Sequence, residues 1–599
     1  MSEKHRPTGR KHASSANEEL PVESETGASV KPRNWYWWTA RIAHGLLMAM
    51  FLVFVLIQLL MRAWGDAIMV PIQNMVTYAQ MMVATVCVIG WWFLFAPVSR
   101  TMKFAIGLPV IALLVGWWCS VRRLDFDGDM NARIEFFWEE SAADRLAVHL
   151  EKSSTADIEQ IDSGAANPFD MPTYRGIHRD GVVIGPDLRT DWEAHPPTEL
   201  WRHPCGGGYS SFSIVGRQLI TMEQRGENEV VVCYDADSGL EFWTFEYPSH
   251  FVEALGGPGP RSTPTIHDGA VYSFGTFGDL FKLDLKTGEK IWHVNSLQQF
   301  QLPNTTWAMT SSPLIIEGAN TVVVNIGGLA DEGGKPKPGG GLVAYELETG
   351  DLVWHGTALG EPQTDLTEFK VGNAAIEGLT GASVPGYSSP MLATLAGTEV
   401  ILNFDGVAFR GHNPETGEEY WSYEFKAGDY ISVAQPIVLN SNSVLISASY
   451  FTGTMTFDIT HDGKQLRAIK RWDEPSTELR SKMSTPVYYN DYIYGLDEGM
   501  MVCFDPRDGT RKWKGRRGGS RGKYGHGQML LANGKIIVLT EQGQLVLINP
   551  NPKELTELGV VQVLNEDIKT WNPLAMAYGK VFVRNAEEVA CYDLQVSSE

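Results

Sequence analysis

Positive charge is scarce in this chain: 49 Lys and Arg stand against 71 Asp and Glu in 599 residues, a formal net charge of −22. A polyanion is held by clustered basic side chains that displace its counterions, so this balance excludes a nucleic-acid surface. Cysteine is scarcer still, with six residues at 87, 119, 205, 233, 503 and 591, and none forms a CxxC, a CxxCH or an adjacent pair. A zinc site, a covalent haem and a vicinal disulfide therefore lack sequence support. Cys87 and Cys119 fall in apolar stretches and are expected to pack as small hydrophobes. Residues 1–34 have almost no large apolar side chain. Such a stretch cannot bury enough surface to fold, and a disordered tail is expected.

Three long apolar runs come next, about Ile42–Met61, Val76–Ala96 and Phe104–Val121. Each is near the roughly 20 residues that a helix needs to cross a bilayer. Trp35, Trp37 and Trp38, Trp91 and Trp92, and Trp117 and Trp118 suit interfacial anchors. The first run begins past residue 40 and two more succeed it, which argues against a cleaved signal peptide. With the N-terminus inside, Lys31, Arg33, Arg41, Arg100 and Lys103 lie inside against Arg62, Arg122 and Arg123 outside. That bias predicts a large C-terminal part on the outer face, with a cytoplasmic repeat domain as the alternative. Residues 124–173 read as a connector. Ile134–Lys152 is expected to form a short amphipathic helix, and Tyr174-Arg175-Gly176-Ile177-His178-Arg179-Asp180-Gly181 a polar lead into a repetitive C-terminal region. Asp125-Phe126-Asp127-Gly128-Asp129 lacks the later bidentate Glu of a calcium loop and reads as linker.

In that region a phrase recurs, most plainly as Asp284-Leu285-Lys286-Thr287-Gly288 leading to Trp292. It returns at Asp235–Gly239 before Trp243, Glu346–Gly350 before Trp354, Asn413–Gly417 before Trp421 and, worn, at Asp505–Gly509 before Trp513. Each copy reads as a strand, a turn in which Asp or Asn bonds its own backbone while Gly takes positive φ, and a strand with a buried Trp. A second element precedes each phrase, a small polar residue then Pro: Thr263-Pro264, Ser312-Pro313, Ser389-Pro390, Gln435-Pro436 and Thr485-Pro486. Ser210-Ser211-Phe212 opens the series, and Gly525-His526-Gly527-Gln528 and Trp571-Asn572-Pro573 close it. Eight starts, about 42 to 77 residues apart, predict an all-β, eight-bladed β-propeller after three transmembrane helices. The longest gap holds the Gly-rich inserts 327–341 and 372–387. Glu199-Leu200-Trp201 resembles a last strand but precedes the first start, so it is expected to complete the eighth blade and remove an exposed edge. The expected domains are a tail at 1–34, a membrane anchor at 35–123, a connector at 124–173 and the propeller at 174–599.

The Asp-x-x-Thr-Gly-x-x-x-Trp phrase resembles the propeller of pyrroloquinoline-quinone (PQQ) proteins and their non-enzymatic relatives, including the assembly lipoprotein BamB. The wording of Glu223-Gln224-Arg225-Gly226, Gly259-Pro260-Arg261-Ser262-Thr263-Pro264 and Tyr524-Gly525-His526-Gly527-Gln528 is similar to membrane-anchored bacterial members of that group. Such repeats specify fold far better than function, since blade packing needs the turn and the Trp whatever the ring binds.

If the starts open the innermost strands, Arg261, Thr310, Tyr387, Lys482, Tyr524, His526, Trp571 and Asn572 ring the mouth of a central channel. Cations, aromatics, an amide and an imidazole suit a small polar or anionic ligand, PQQ among them. Alternatively they cap strands or fill the pore. Glu223 and Arg225 read as an ion pair, either in the channel or between blades. His526, between two glycines, is a candidate base or a structural turn residue. The Gly-rich runs Cys205–Gly208 and Gly518-Gly519 lack the setting of a phosphate loop and read as turns. In the quinoprotein dehydrogenases that the resemblance implies, carboxylates converge on calcium beside PQQ and a cysteine pair lies over the ring. Here no Cys-Cys occurs, no metal site can be assigned, and Asp405, Asp429, Asp497 and Glu541 are expected in turns or on the surface. The expectation is a binding or assembly platform in a bacterial inner membrane, its propeller periplasmic and its partners the lipid bilayer and membrane or periplasmic proteins. The alternative is a PQQ-dependent dehydrogenase acting on an alcohol or sugar.

Overall fold

The structure, a computed structural model, describes residues 33–63, 69–153, 167–253, 255–327, 341–356, 386–463, 465–515, 517 and 522–596. The tail at 1–32, most of both Gly-rich inserts and Gly518-Gly519 lie outside them. The chain divides into two compact units, Met1–Ala63 with Thr77–Val115, and Trp64–Val76 with Gly116–Glu599.

The first unit is helical. Helices α1 (Arg33–Ala63), α2 (Met69–Phe95) and α3 (Arg100–Cys119) are long and apolar enough to cross a membrane. A lysine inside α3 is satisfied locally: Lys103 Nζ donates to Phe93 O over 3.0 Å. Cys119 is exposed, against the packing role expected of it, and Cys87 is half-buried.

Helix α3 ends at Cys119, two residues earlier than the apolar run, because Val121 already belongs to an extended segment with alternating charge. Strands β1 (Val121–Phe126) and β2 (Ala132–Phe136) form an antiparallel hairpin. The expected linker at 125–129 is thus the hairpin's turn, tied by Asp127 Oδ1 accepting from Asp129 N and Asn131 N. The expected helix starts late. Ile134–Phe136 is strand, and α4 (Ala142–Lys152) begins only at the capping box of Ser141 and Asp144.

Eight four-stranded antiparallel sheets succeed one another, with innermost strands at Ser213–Val215, Thr265–His267, Leu314–Ile316, Met391–Leu395, Ile437–Asn440, Val487–Tyr489, Gln528–Ala532 and Ala575–Ala577. Two early strands join late blades. Strand β3 (Val182–Val183) runs parallel to the innermost strand of blade 7, and β4 (Thr198–Pro204) is the outer strand of blade 8, pairing Cys591 with Trp201. The ring therefore closes as the displaced Trp201 strand implied.

The turn phrase works as its chemistry predicts. Asp284 Oδ1 accepts from Lys286 N and Thr287 N at 3.0 and 2.8 Å, and Gly288 takes φ +73°. The same turn is a dock for the preceding blade. Trp243 Nε1 donates to Leu285 O, Trp292 Nε1 to Leu347 O, Trp354 Nε1 to Pro414 O, Trp201 Nε1 to Ala236 O and Trp513 Nε1 to Asn551 O. Each of the turns ending at Gly239, Gly288, Gly350 and Gly417 faces an indole so closely that a Cβ would lie within 2.9 Å of it. Blade 5 has no such turn, and Trp421 Nε1 is buried without a hydrogen-bond partner. Trp472, which the repeat does not flag, lies against Gly509 of blade 6.

The small polar residue before each Pro has a different task. Ser211 N donates to Thr263 Oγ1, Thr263 N to Ser312 Oγ and Ser312 N to Ser389 Oγ, all at 3.0 Å. Gln435 joins blade 5 to blades 4 and 6 through Ser389 O and Thr485 Oγ1. Gln528 joins blade 7 to Met483 O and Trp571 O, and Asn572 joins blade 8 to Gly208 O and Ser210 O. A belt of hydrogen bonds thus crosses all eight blade interfaces around the channel.

Gly288→Ala would add a Cβ 2.4 Å from Trp243 Cε3 in the left-handed region. The conformational cost of about 1–2 kcal/mol and overpacking of about 1–3 kcal/mol predict a loss of about 2–5 kcal/mol. Denaturant unfolding of the purified protein measures it, and a loss below about 1 kcal/mol would show that this dock is loose.

Candidate functional site

The channel has two ends, distinguished by the starts of the innermost strands and the loops between the second and third strands on one side and the Asp-x-x-Thr-Gly turns on the other. Toward the turn side the chain crosses the channel itself. Met171 pairs with Ile214 of blade 1, Ile266 N donates to Pro172 O, Arg179 donates to Ser312 O and Pro313 O of blade 3, and Arg175 to Pro486 O and Met529 O of blades 6 and 7. Blades 3 and 7 lie opposite each other in a ring of eight, so these two guanidinium groups reach both walls. The expected polar lead is instead an internal strap. Burial lowers both guanidinium pKa values, that of Arg179 to about 10.

At the other end, the near mouth, Glu541 is the hub. One of its oxygens accepts from Gly128 N at 2.7 Å and Trp571 Nε1 at 2.8 Å, the other from His526 N at 3.0 Å. The carboxylate therefore ties blade 7 to blade 8 and both to the β1–β2 turn. His526 Nε2 lies 3.3 Å from Gly128 O and 3.4 Å from Lys482 Nζ. Lys569 Nζ donates to Phe126 O at 3.0 Å and Leu255 O at 2.7 Å, and stands 4.5 Å from the Trp571 ring. Lys523 Nζ pairs with Asp129 at 3.3 Å. Lower on the hairpin side, Arg133 and Arg145 both pair with Glu587 of blade 8, at 2.9 and 2.5 Å.

Four of the expected mouth residues, Arg261, Lys482, His526 and Trp571, are at this end. Arg261 donates to Gly257 O and Gly259 O and lies over the rings of Phe251 and Tyr209. Thr310 donates to Tyr387 O, an inter-blade tie. Tyr524 and Asn572, also expected at the mouth, and the separate candidates Glu223 and Arg225 have structural partners. Tyr524 turns into the blade 7 core and donates to Glu557, while Asn572 belongs to the hydrogen-bond belt. Glu223 is buried between blades 1 and 8, with Arg225 at 3.1 Å and Arg584 at 3.9 Å. Burial alone would raise its pKa, but those two cations hold it below the usual carboxylate range. The Glu223–Arg225 pair lies along one strand of blade 1, and the contact of Glu223 that crosses to blade 8 is the one to Arg584.

Glu541, expected in a turn or on the surface, stands in a turn, but one buried at the mouth, and Lys569 and the hairpin turn join it without having been expected there. The apolar strand Lys535–Leu539 ending in Thr540-Glu541 is the available signal for Glu541. The carboxylates that a hard cation would need do not converge. Asp405 pairs with Arg410, Asp497 with Arg480 and Lys514, and both Glu541 oxygens hold N–H donors. The side chain of Asp429 lies outside the described ones. Among the described residues there is no group of three or more His, Cys, Asp or Glu that would hold a metal. The donor set at the mouth thus does not fit calcium with PQQ.

Fold and docking pattern define a Trp-docked, eight-bladed propeller of the quinoprotein-like class. The sequence model of the family described as "Outer membrane protein assembly factor BamB" matches residues 193–384 and 387–599, more than half of the chain, and the chain belongs to that family. Among solved structures, BamB from Moraxella catarrhalis is similar over 66% of this chain and 99% of its own, with 15% identity and a TM-score of 0.43. A quinohemoprotein alcohol dehydrogenase from Comamonas testosteroni is similar over 76% of this chain and 85% of its own, with 13% identity and a TM-score of 0.49. For a europium-containing methanol dehydrogenase the shares are 72% and 98%, the identity 12% and the TM-score 0.39. No curated protein matches.

Two buried imidazoles set an acid limit. Burial, then Lys482, lowers the His526 pKa to about 4 against Glu498, Asp129 and the Gly128 carbonyl. In blade 4, burial with Arg410 lowers His412 to about 4 against Glu419 and the Gly417 carbonyl. Both are neutral in the fold and titrate near 6.5 when unfolded, so the unfolded chain binds more protons between pH 6.5 and about 4. The melting temperature should be flat above pH 6.5 and fall as pH drops from 6.5 toward 4. His526→Gln should shallow that fall, and an unchanged slope would remove His526 from the account.

Proposed function

We propose that this protein is a membrane-anchored, extracytoplasmic binding or assembly platform. The observation that carries the reading is that the chain occupies its own channel. The Arg175–Arg179 strap crosses one end, and at the other the His526, Lys569 and Glu541 side chains already meet the β1–β2 turn. What the ring offers partners is its outer surface and a mouth closed by its own hairpin, rather than an open channel. The BamB family membership supports the same reading, and confinement to a bilayer raises the effective concentration of such a ring toward other membrane proteins. The three apolar helices and the bias of basic residues favour an inner membrane with the propeller on the periplasmic side.

The dehydrogenase reading is tested by titrating the purified full chain with PQQ and calcium while monitoring quinone absorbance and melting. A ligand at about a hundred times its dissociation constant adds roughly 2.7 kcal/mol of stability. The expectation is no shift and no dye reduction with alcohols or sugars; saturable binding with turnover would replace the platform by an enzyme. Topology is tested by a reporter fused after Glu599 that is active only outside the cytoplasm. It should be active, and a silent reporter alongside an active cytoplasmic one would reverse the orientation.

A further inference from the structure

The two segments that enter the channel are held in different ways. In the strap, Asp170, Met171, Thr173, Arg175, Arg179 and Val183 are buried, and Met171 and Val183 belong to the largest apolar cluster of the ring. In the hairpin, Gly128 alone of residues 121–136 is buried. Its turn is held by hydrogen bonds to main-chain atoms, Gly128 N, Gly128 O and Phe126 O, and by the ion pair of Asp129. A two-stranded hairpin has little stability of its own, and this one adds only Gly128 to the buried surface. The strap is part of the core, whereas the hairpin is a ligand that happens to be covalently attached.

What the hairpin presents is specific. Asp125-Phe126-Asp127-Gly128-Asp129 is an acidic turn, and around it stand Lys482, Lys523 and Lys569 with His526 and the Trp571 ring. Gly128 is required by contact: a Cβ there would lie 1.8 Å from His526 Cδ2 and 2.9 Å from Glu541 Oε1. We propose that the near mouth is a recognition site for an acidic β-turn, closed in cis by this chain's own hairpin, and that an acidic turn of a partner protein competes for it. This deepens the platform reading by naming one docking point and the chemistry that docks there. Because the hairpin is tethered, its effective concentration at the mouth is on the order of millimolar and it excludes weak free peptides until it is disabled.

The test uses the full chain in detergent micelles. In the wild type, hydrogen exchange of amides 121–136 should be at least about tenfold faster than that of amides 170–183; equal protection would overturn the proposal. Gly128→Leu should release the hairpin, leave the strap protected, and allow a fluorescent peptide of residues 121–136 to bind, seen as a rise in anisotropy that the wild type does not give. The same peptide with its three Asp changed to Asn should bind at least about tenfold more weakly, since the ion pair of Asp129 with Lys523 and the negative charge facing the three lysines are lost. A Gly128→Leu protein with an intact strap that fails to bind the peptide, or that binds both peptides equally, would overturn the acidic-turn site. Neither result bears on the quinone titration, so the platform reading stands or falls separately.

Discussion

The belt of hydrogen bonds around the channel is the constraint on which the rest depends. A radial array of sheets converges at its centre, where main-chain N–H and C=O groups of eight innermost strands crowd together with no next strand to receive them. Unpaired and buried, each would cost about 1–3 kcal/mol. The chain answers with a side chain from the neighbouring blade: a hydroxyl from Thr263, Ser312, Ser389 or Thr485, and the longer Gln435, Gln528 and Asn572 at blades 5, 7 and 8. The indoles do the corresponding work at the outer rim of five interfaces, where Trp201, Trp243, Trp292, Trp354 and Trp513 donate to the next blade. Those interfaces are pinned at an inner and an outer radius, whereas blades 7 and 8 at the mouth are joined by Gln528 of the belt and by Glu541.

The character of the near mouth is set by which loops carry charge. Glu223, Asp405 and Asp497 find cations within the ring. Glu541 and Glu587 are satisfied from the hairpin and from Arg133 and Arg145. Removing a partner from a buried carboxylate is costly, whereas replacing one partner by another is not. The mouth is therefore built to be occupied, and the identity of its occupant is the variable.

The fold is legible in the sequence because repetition multiplies weak signals. One Asp-x-x-Thr-Gly turn is an ordinary hairpin, but several in register with Trp and a polar-Pro start define a blade, and the stray Trp201 strand settles the closure. The candidate site is only half legible. Lys482, His526 and Trp571 stand out because they flank repeat starts. Glu541 does not, because it ends a strand like many carboxylates and its role depends on residue 128, some four hundred positions away. The strap passes for a polar lead for the same reason: Arg175 and Arg179 look like surface residues until main-chain carbonyls from opposite walls surround them. Local pattern reports blades; it does not report what threads between them.

The pairing of β4 with the final strand of blade 8 also governs when the molecule can exist. Residues 198–204 leave the ribosome long before residues 588–593. Until then the first blade lacks its neighbour and β4 lacks its sheet. The ring is a loop closed by its own two ends, with the slow search that such distant contacts impose. Newly made chains thus pass through an open arc with two bare flanks, and that interval rather than the finished ring is when the protein is most exposed to mispairing with its neighbours.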